Sequence, residues 1–219
     1  MQKNWLERSE LLLKADGIEK LKNANLLIVG LGGVGSFAAE FLVRSGIGKM
    51  TIVDGDIVDL TNINRQLPAL HSTVGKSKVE IVGERLLDIN PEITLTKINE
   101  FLTSERMEEV ISTEKFDYIL DCIDSVSPKV SLIKAARRKK IKIVSCMGAG
   151  GKIDPAKVLV RDIHKTRNCF LAKTVRKRLK KEGIDKGIRC VFSTEIQDQE
   201  SLQMTDGSNF KRSFYGTIS

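Results

Sequence analysis

The feature that most constrains the fold is a cluster of glycines between an apolar strand and an amphipathic helix. The run 25–30 is short, apolar and β-prone and stops at Gly30, and apolar residues recur at helical spacing in the next twelve residues. A second apolar run, 50–53, ends at Asp54. This order of strand, tight turn, helix and strand predicts a βαβ unit, whose two strands are parallel.

The alternation of helices and strands continues along the chain, which predicts an α/β fold. We expect a Rossmann-like, mostly parallel, doubly wound sheet with helices on both faces. Residues 5–22 predict one or two N-terminal helices without a strand. The predicted helices of the core are 76–89, 104–112 and 128–139, and its further strands are 93–98, 118–121 and 141–146. A C-terminal extension adds a strand at 157–161, a basic helix at 170–182 and a strand at 190–194.

The length of 219 residues favours a single domain, 1–219. Within it we distinguish a helical arm (1–24), a nucleotide-binding core (25–155) and a basic C-terminal part (156–219). The segment 197–209 is polar with a turn signal at Asp206-Gly207, and the chain stops abruptly at Tyr215–Ser219. We therefore expect the C-terminal part to be incomplete.

Composition excludes several classes of protein. The apolar runs are shorter than the roughly 20 residues of a membrane helix, and charges occupy the N-terminus where a signal peptide is apolar. We therefore expect no membrane span and a cytoplasmic protein. The four cysteines are widely spaced, so a structural zinc site is not expected.

The net charge of +8 is concentrated near the C-terminus. Between Lys157 and Arg189 there are twelve Lys or Arg against three Asp or Glu. Such an excess indicates either a polyanionic partner or a solvated helix face.

The glycine cluster also indicates a ligand. Gly30, Gly32, Gly33 and Gly35 fit the G-x-G-x-x-G pattern, which lets the backbone approach a phosphate at a helix N-terminus. Asp54 follows Gly35 by nineteen residues, at the position where a carboxylate can accept ribose hydroxyls. The pattern predicts a nucleotide site, but it does not separate redox enzymes that bind dinucleotides from enzymes that form adenylates.

The motifs after Asp54 separate these two classes. They are Asp54-Gly55-Asp56, Asn62-Ile63-Asn64-Arg65-Gln66, Gly75-Lys76-Ser77-Lys78-Val79 and Asp121-Cys122-Ile123-Asp124-Ser125. In this order they resemble the ubiquitin-activating-enzyme-like adenylyltransferases, which include the molybdopterin- and thiamine-biosynthesis activating enzymes.

The resemblance implies ATP as substrate and a role for each matched residue. Arg65 and Lys78 would contact phosphates, Asp54 would contact the ribose, and Asn62 would contact the nucleotide. Asp56 is counted with them among the residues that bind the nucleotide. Asp124 would hold Mg²⁺. Arg8 resembles the arginine that reaches into the partner subunit's site, which implies a homodimer and leaves its action in cis or in trans open. We count Arg8, Arg65, Lys78 and Asp124 as catalytic candidates.

Further motifs resemble one subfamily, the tRNA threonylcarbamoyladenosine dehydratases. They are Ser125-Val126-Ser127-Pro128-Lys129, the segment 148–155 and Val191-Phe192-Ser193-Thr194-Glu195. The resemblance implies ATP-dependent cyclisation of N6-threonylcarbamoyladenosine next to the anticodon: the free carboxylate is adenylated, and the neighbouring carbamoyl group closes an oxazolone ring with loss of one water. Members of the subfamily continue beyond the point where this chain ends, with a glycine-rich segment and a helical tail. An intramolecular nucleophile requires no catalytic thiol.

Two other functions remain open at this stage. An activating enzyme for a small ubiquitin-like sulfur-carrier protein would use the same nucleotide site and favours a reactive thiol; Cys190 is the candidate, although its sequence context predicts a buried strand. It would bring sulfur-transfer proteins in as partners. A non-catalytic nucleotide-binding scaffold would bind ATP without turnover.

The basic segments predict a surface for tRNA phosphates. Few aromatic residues are interleaved with these charges, so base stacking is not predicted. The glycines at 148–151 predict a substrate contact, a site for K⁺ or Na⁺, or a simple turn. The residues predicted to follow the phosphates are Lys134, Arg137, Arg138, Lys139, Lys140, Lys173, Arg176, Lys177 and Arg178.

Overall fold

A computed structural model describes residues 4–198, 200–204 and 213–215, and its centre is a seven-stranded sheet. Every neighbouring pair of strands is parallel except β6 and β7, which are antiparallel. From one edge to the other the strands are β3 (Thr94–Ile98), β2 (Lys49–Val53), β1 (Asn25–Val29), β4 (Tyr118–Asp121), β5 (Lys142–Cys146), β7 (Arg189–Ser193) and β6 (Val158–Asp162). The predicted α/β, mostly parallel fold is confirmed.

Six helices accompany the sheet in the described part of the chain. They are α1 (Glu7–Lys22), α2 (Gly35–Arg44), α3 (Lys78–Ile89), α4 (Ser104–Thr113), α5 (Val126–Arg138) and α6 (Phe170–Lys181). A kink at Lys14, where φ is 62°, divides α1 into two segments. None of the described helices is long and apolar enough to cross a membrane.

The boundaries differ from the predictions by one or two residues where backbone geometry decides. The predicted helix from 76 begins at Lys78, because Gly75 has φ +83° and Ser77 forms an isolated bridge with Ile57. Helix α5 begins before Pro128, which lies in its first turn, where no intrahelical N–H bond is needed. Two short antiparallel strands, β8 (Leu202–Met204) and β9 (Ser213–Tyr215), were not predicted. The turn signal at 206–207 lies outside the described residues.

The sheet is covered on both faces, as expected for a doubly wound fold. Helices α2 and α3 pack on one face through Val43, Val82 and Leu86. Helices α4, α5 and α6 pack on the other through Met107, Ile133 and other apolar side chains. All five residues of β1 are buried, because this central strand is covered on both sides.

The strand order places the connecting loops where a site can form. Val29 is in register with Val53 on one side and with Asp121 on the other, so the carboxyl ends of β2, β1 and β4 share one edge of the sheet. The chain leaves β1 for β2 on one side and later returns through β4 on the other side. A parallel sheet binds ligands in the crevice at such a switch point.

Candidate active site

The glycine-rich loop follows β1 and packs tightly against its neighbours. Gly30 has φ +93°, and a Cβ there would lie 2.8 Å from the Cys122 carbonyl oxygen. A Cβ on Gly35 would lie 1.7 Å from the carbonyl oxygen of Gly30. The first turn of α2 can therefore approach the loop this closely only because residue 35 is glycine. A Cβ on Gly33 would lie 3.0 Å from the Arg65 carbonyl oxygen.

Gly32 differs from these three glycines. A Cβ there would lie 3.8 Å from the Gln66 Nε2 atom, which is an ordinary contact. Packing within the chain therefore does not require glycine at this position. Helix α2 has no side-chain cap among the described residues, although its Ser36 amide donates to the Gly32 carbonyl oxygen, so no side chain competes with an anion for the positive end of the helix dipole. The loop thus fits a phosphate that approaches its backbone at Gly32.

Asp54 joins the end of β2 to this loop. Its Oδ2 accepts the Leu31 amide at 2.6 Å, and its Oδ1 accepts the Asp56 amide at 2.8 Å. Burial raises the pKa of Asp54, and the two amides together with the Lys78 ammonium oppose that rise. Each carboxylate oxygen has a second lone pair, so Asp54 can still accept a ribose hydroxyl.

Lys78 is the buried cation of the site. It lies at the first position of α3 with 5% of its surface exposed, and its Nζ contacts the Asp56 Oδ2 at 2.9 Å. The Lys78 amide also donates to the Asp56 carbonyl oxygen at 3.0 Å. The Ser77 hydroxyl beside it is buried without a hydrogen-bond partner among the described residues. A second helix N-terminus and a positioned ammonium group therefore lie beside Asp54.

The turn 62–66 packs over the glycine-rich loop. Asn62 is buried; its Oδ1 accepts the Asp59 amide, and its carbonyl oxygen accepts the amides of Arg65 and Gln66. The Arg65 guanidinium donates from Nη1 to the Thr61 carbonyl oxygen at 2.8 Å, so it is held by its own turn. The Gln66 Oε1 is buried without a partner in the described residues, as expected of a polar atom that a ligand satisfies.

Asp124 lies in the turn between β4 and α5. Its side chain is exposed, and the Ser125 hydroxyl donates to its Oδ1 at 3.3 Å. No group of three His, Cys, Asp or Glu side chains suitable for a metal occurs in the described parts of the chain. Mg²⁺ beside nucleotide phosphates needs only one or two carboxylates, with phosphate oxygens and water completing its shell. Asp124 fits that requirement.

A buried ion pair supports this turn, and the sequence alone did not reveal that pair. Lys129 and Asp121 are both fully buried, and the Lys129 Nζ lies 2.8 Å from the Asp121 Oδ2. The ammonium also donates to the Cys146 carbonyl oxygen at 2.8 Å, and the Ser145 hydroxyl donates to Asp121. The Asp121 Oδ1 accepts the Ile123 amide at 3.1 Å and so shapes the turn that carries Asp124. The signal in the sequence was a lysine on the apolar face of α5.

Arg8 is far from these residues in its own chain. Leu6, two residues before Arg8, is buried against Gly46, which lies in the turn between α2 and β2. This turn lies at the amino-terminal edge of the sheet, whereas the glycine-rich loop lies at the carboxyl edge. The ten residues of α2 separate the two edges by about 15 Å. The structure therefore places every predicted site residue except Arg8 in the loops and helix starts at the carboxyl edge of the sheet.

Cys190 lacks the environment of a reactive thiol. It is fully buried in β7, and burial raises its pKa to about 12. A thiolate is the nucleophilic form of cysteine, so this group is inert near neutral pH. The predicted buried strand at this position is confirmed.

The loop that follows β5 is held by hydrogen bonds. The Glu195 carboxylate accepts the amides of Ile153 and Asp154, the latter at 2.8 Å. The Lys152 Nζ donates to the carbonyl oxygens of Ser193 at 2.8 Å and Asn168 at 3.2 Å. Three loops at the carboxyl edge, after β5, before α6 and after β7, are thus bound to one another.

The basic surface is narrower than the sequence predicts, because several of its members have partners. Arg176 donates to the Thr166 carbonyl oxygen at 2.9 Å, and Arg178 to the Ser127 hydroxyl at 2.7 Å. Lys134 pairs with Glu182, and Arg138 with Glu108. Five members are exposed and form no ion pair with the described residues: Arg137, Lys139, Lys140, Lys173 and Lys177.

Comparisons with known proteins relate this chain to one family. The model of the ThiF family matches residues 6–214. A tRNA threonylcarbamoyladenosine dehydratase from Bacillus subtilis is 45% identical over 188 residues, which cover 86% of this chain and 74% of that protein. The crystal structure of E. coli tRNA N6-threonylcarbamoyladenosine dehydratase, TcdA, in complex with ATP matches with a TM-score of 0.86 and 41% identity, over 89% of this chain and 82% of that chain.

A second group of relatives matches a smaller part of the chain. A molybdopterin-synthase adenylyltransferase from Escherichia coli is 38% identical over 130 residues, or 59% of this chain and 51% of that protein. The similarity to the dehydratases thus extends over a larger share of this chain than the similarity to the molybdopterin-synthase adenylyltransferase.

Proposed function

This chain belongs to the ThiF family and, within it, to the tRNA threonylcarbamoyladenosine dehydratases, and on that premise we propose its reaction. The chain uses ATP to convert N6-threonylcarbamoyladenosine of tRNA, next to the anticodon, into its cyclic oxazolone form. The observation that carries the proposal is the similarity over 86% of this chain to a protein of that name. The site described above is consistent with adenylation of a carboxylate.

The first step joins two anions. A carboxylate oxygen of the threonine moiety attacks the α-phosphorus of ATP, an acyl adenylate forms, and pyrophosphate leaves. Lys78 and Arg65 would supply positive charge at the phosphates, and the N-termini of α2 and α3, with their positive dipole ends, both lie at the carboxyl edge of the sheet. Asp124 would hold Mg²⁺, which neutralises charge on the departing pyrophosphate. Asp54 would fix the ribose.

The second step is intramolecular. An oxygen of the carbamoyl group attacks the adenylated carbonyl carbon, the C–O bond to AMP breaks, and the five-membered ring closes. The nucleoside has then lost one water in total, and ATP has become AMP and pyrophosphate. Proximity supplies the effective concentration of the nucleophile, so no thiol is needed. The buried, inert Cys190 is consistent with this step and argues against a sulfur-transfer activity at that residue.

Mass spectrometry of nucleosides tests the reaction directly. The protein is incubated with threonylcarbamoylated tRNA, ATP and Mg²⁺ in a buffer free of nucleophilic amines, which would open the ring. We expect the modified nucleoside to lose one water only when ATP is present, and Cys190→Ser to retain this activity. If the nucleoside stays unchanged while the protein catalyses ATP–pyrophosphate exchange on the tail of a sulfur-carrier protein, the dehydratase proposal is wrong.

We further propose that the active form is a homodimer in which Arg8 acts in trans. Arg8 lies at the opposite edge of the sheet from its own site, so only a second copy can bring it there. Apolar side chains support such contacts: Leu11 and Leu12 beside Arg8 are 71% and 80% exposed. Helix α2 also exposes Phe37 and Phe41, one turn apart, although burying such side chains is favourable.

Mixing two inactive variants tests this arrangement. Arg8→Ala and Asp124→Ala homodimers should each lack activity. After subunit exchange, half of the dimers are mixed, and each mixed dimer regains one complete site if Arg8 works in trans. We expect about one quarter of wild-type activity, measured as ATP-dependent loss of water from the nucleoside. No recovery in a mixture shown to contain mixed dimers would contradict the trans arrangement.

We also propose that the reaction takes place in the cytoplasm, since its substrate is a tRNA. A site for K⁺ or Na⁺ at the loop 148–151 stays a prediction, to which we assign no ligand residue. Among the residues predicted to follow tRNA phosphates, those that are exposed and without an ion pair in the described part of the chain are Arg137, Lys139, Lys140, Lys173 and Lys177.

A further inference from the structure

Helix α6 has one buried face and one cationic face. Ala172, Val175 and Leu179 are buried against the sheet. The opposite face carries one exposed residue at each turn. Starting at the first helical position, these residues are Phe170, Lys173, Lys177 and Lys181. Their spacing of three or four residues places them in one row about 16 Å long.

Phe170 at the head of this row is unusual. Its side chain is 68% exposed, although burying a phenylalanine side chain stabilises a fold. A lone exposed apolar residue on a surface needs no special account. Here, however, the aromatic ring begins a helix that contains Lys and Arg at six of its twelve positions and no acidic residue.

The backbone at Phe170 is fixed from both sides. The Asn168 side chain donates to the Thr194 carbonyl oxygen at 2.8 Å, and the Asn168 carbonyl oxygen accepts from Lys152. The Cys169 thiol contacts the Gly148 carbonyl oxygen at 3.9 Å, and a Cβ on Gly148 would touch Leu171. The backbone that carries Phe170 is therefore already ordered before a ligand binds, so binding costs little backbone conformational entropy there.

These contacts also place Phe170 relative to the nucleotide site. Gly148 follows β5 and Thr194 follows β7, so the start of α6 lies at the carboxyl edge of the sheet, as the glycine-rich loop does. Strand β7 is three positions from β1, which corresponds to about 14 Å at the usual strand spacing. A nucleotide close to the reacting one in the same RNA loop can span this separation.

We infer that Phe170 stacks on an unpaired nucleobase of the anticodon loop and that the lysine row of α6 follows the adjoining phosphates. The inference rests on the proposed function, since the reacting nucleoside lies next to the anticodon. Unpaired bases of RNA are recognised by stacking on aromatic side chains beside a cationic track. An acidic protein would match the lysines, but it would leave the ring at the head of the row without a role.

Binding of an RNA hairpin with the anticodon-loop sequence tests this inference without requiring catalysis. We expect Phe170→Ala to weaken binding of the hairpin about tenfold and Phe170→Trp to bind it as tightly as the wild type. A base-paired duplex of equal length should bind the wild type and both variants with equal affinity. Leu87→Ala, an exposed apolar position on α3, serves as the matched control and should bind like the wild type. ATP binding should be equal in all variants, which shows that they are folded.

Salt dependence and fluorescence separate the ring from the lysines. Phe170→Ala should keep the slope of log Kd against log salt, whereas Lys173→Ala with Lys177→Ala should reduce its magnitude by about 1.4. A 2-aminopurine in the hairpin loop should be quenched by the wild type and not by Phe170→Ala. Equal affinity and equal quenching in both proteins would overturn the inference. That result would leave the proposed function intact if the wild type still removes water from the modified nucleoside. If the wild type quenches the fluorescence normally but does not remove water, the proposed function is wrong and the stacking of Phe170 stands.

Discussion

Asp124→Asn is expected to lower the rate of ATP-dependent dehydration by at least about 100-fold while leaving the free energy of unfolding unchanged. The side chain is exposed in the turn before α5, and asparagine has the same shape, so the fold loses little. What is lost is the negative charge that would hold Mg²⁺ against the phosphates. Negative charge builds up on the departing pyrophosphate as its bond to the α-phosphorus breaks. Loss of the Asp124 charge therefore acts mainly on the transition state.

Single-turnover kinetics at several Mg²⁺ concentrations provide the measurement. The variant should need more Mg²⁺ for half-maximal rate, and excess Mg²⁺ should recover part of the activity. Asp185→Asn, which neutralises an exposed carboxylate in the turn after α6, is the matched control and should behave like the wild type. An Asp124→Asn rate within about threefold of the wild-type rate at low Mg²⁺ would remove Asp124 from the metal site.

Lys129→Met is expected to lower the free energy of unfolding by about 3–5 kcal/mol. Methionine fills a similar volume, but it leaves the Asp121 carboxylate buried with only the Ser145 hydroxyl and the Ile123 amide as partners. The second variant Asp121→Asn in the Lys129→Met background removes the unpaired charge and should recover part of the loss. Lys139→Met, at an exposed lysine that ends the same helix, should change stability by less than about 0.5 kcal/mol.

The loss should also depend on pH in a defined direction. Burial raises the pKa of Asp121 even with Lys129 present, and without the ammonium group nothing of comparable strength opposes that rise. A carboxyl whose pKa is higher in the folded state than in the unfolded state contributes less stability as pH increases through that interval. Urea unfolding should therefore show a smaller deficit near pH 5 than near pH 8. A deficit independent of pH would indicate that lost packing, not the unpaired carboxylate, destabilises the variant.

Much of the fold and part of the site could be predicted because their causes are local in the sequence. The alternation of apolar runs with helical periodicity determines the parallel sheet, since each pattern depends only on neighbouring residues. The glycines at 30 and 35 mark positions where a Cβ cannot fit, a Cβ at Gly33 would be crowded, and Asp54, Lys78 and Asp124 follow strands or begin helices at the same edge. Parallel topology then brings them together without further information.

The tertiary structure alone decided the rest, because those properties depend on which distant surfaces meet. Lys129 is an ordinary helical lysine until α5 packs over β4 and β5 and buries it against Asp121. Arg8 looks like part of the site, yet Leu6 fixes its segment at the opposite edge of the sheet. Arg176 and Arg178 belong to the basic run, but packing gives them partners on other elements, whereas the same packing leaves Phe170 exposed at the head of the lysine row. Residue types and local periodicity are written in the sequence, but the pairing and exposure of side chains follow only from contacts between elements far apart in the chain.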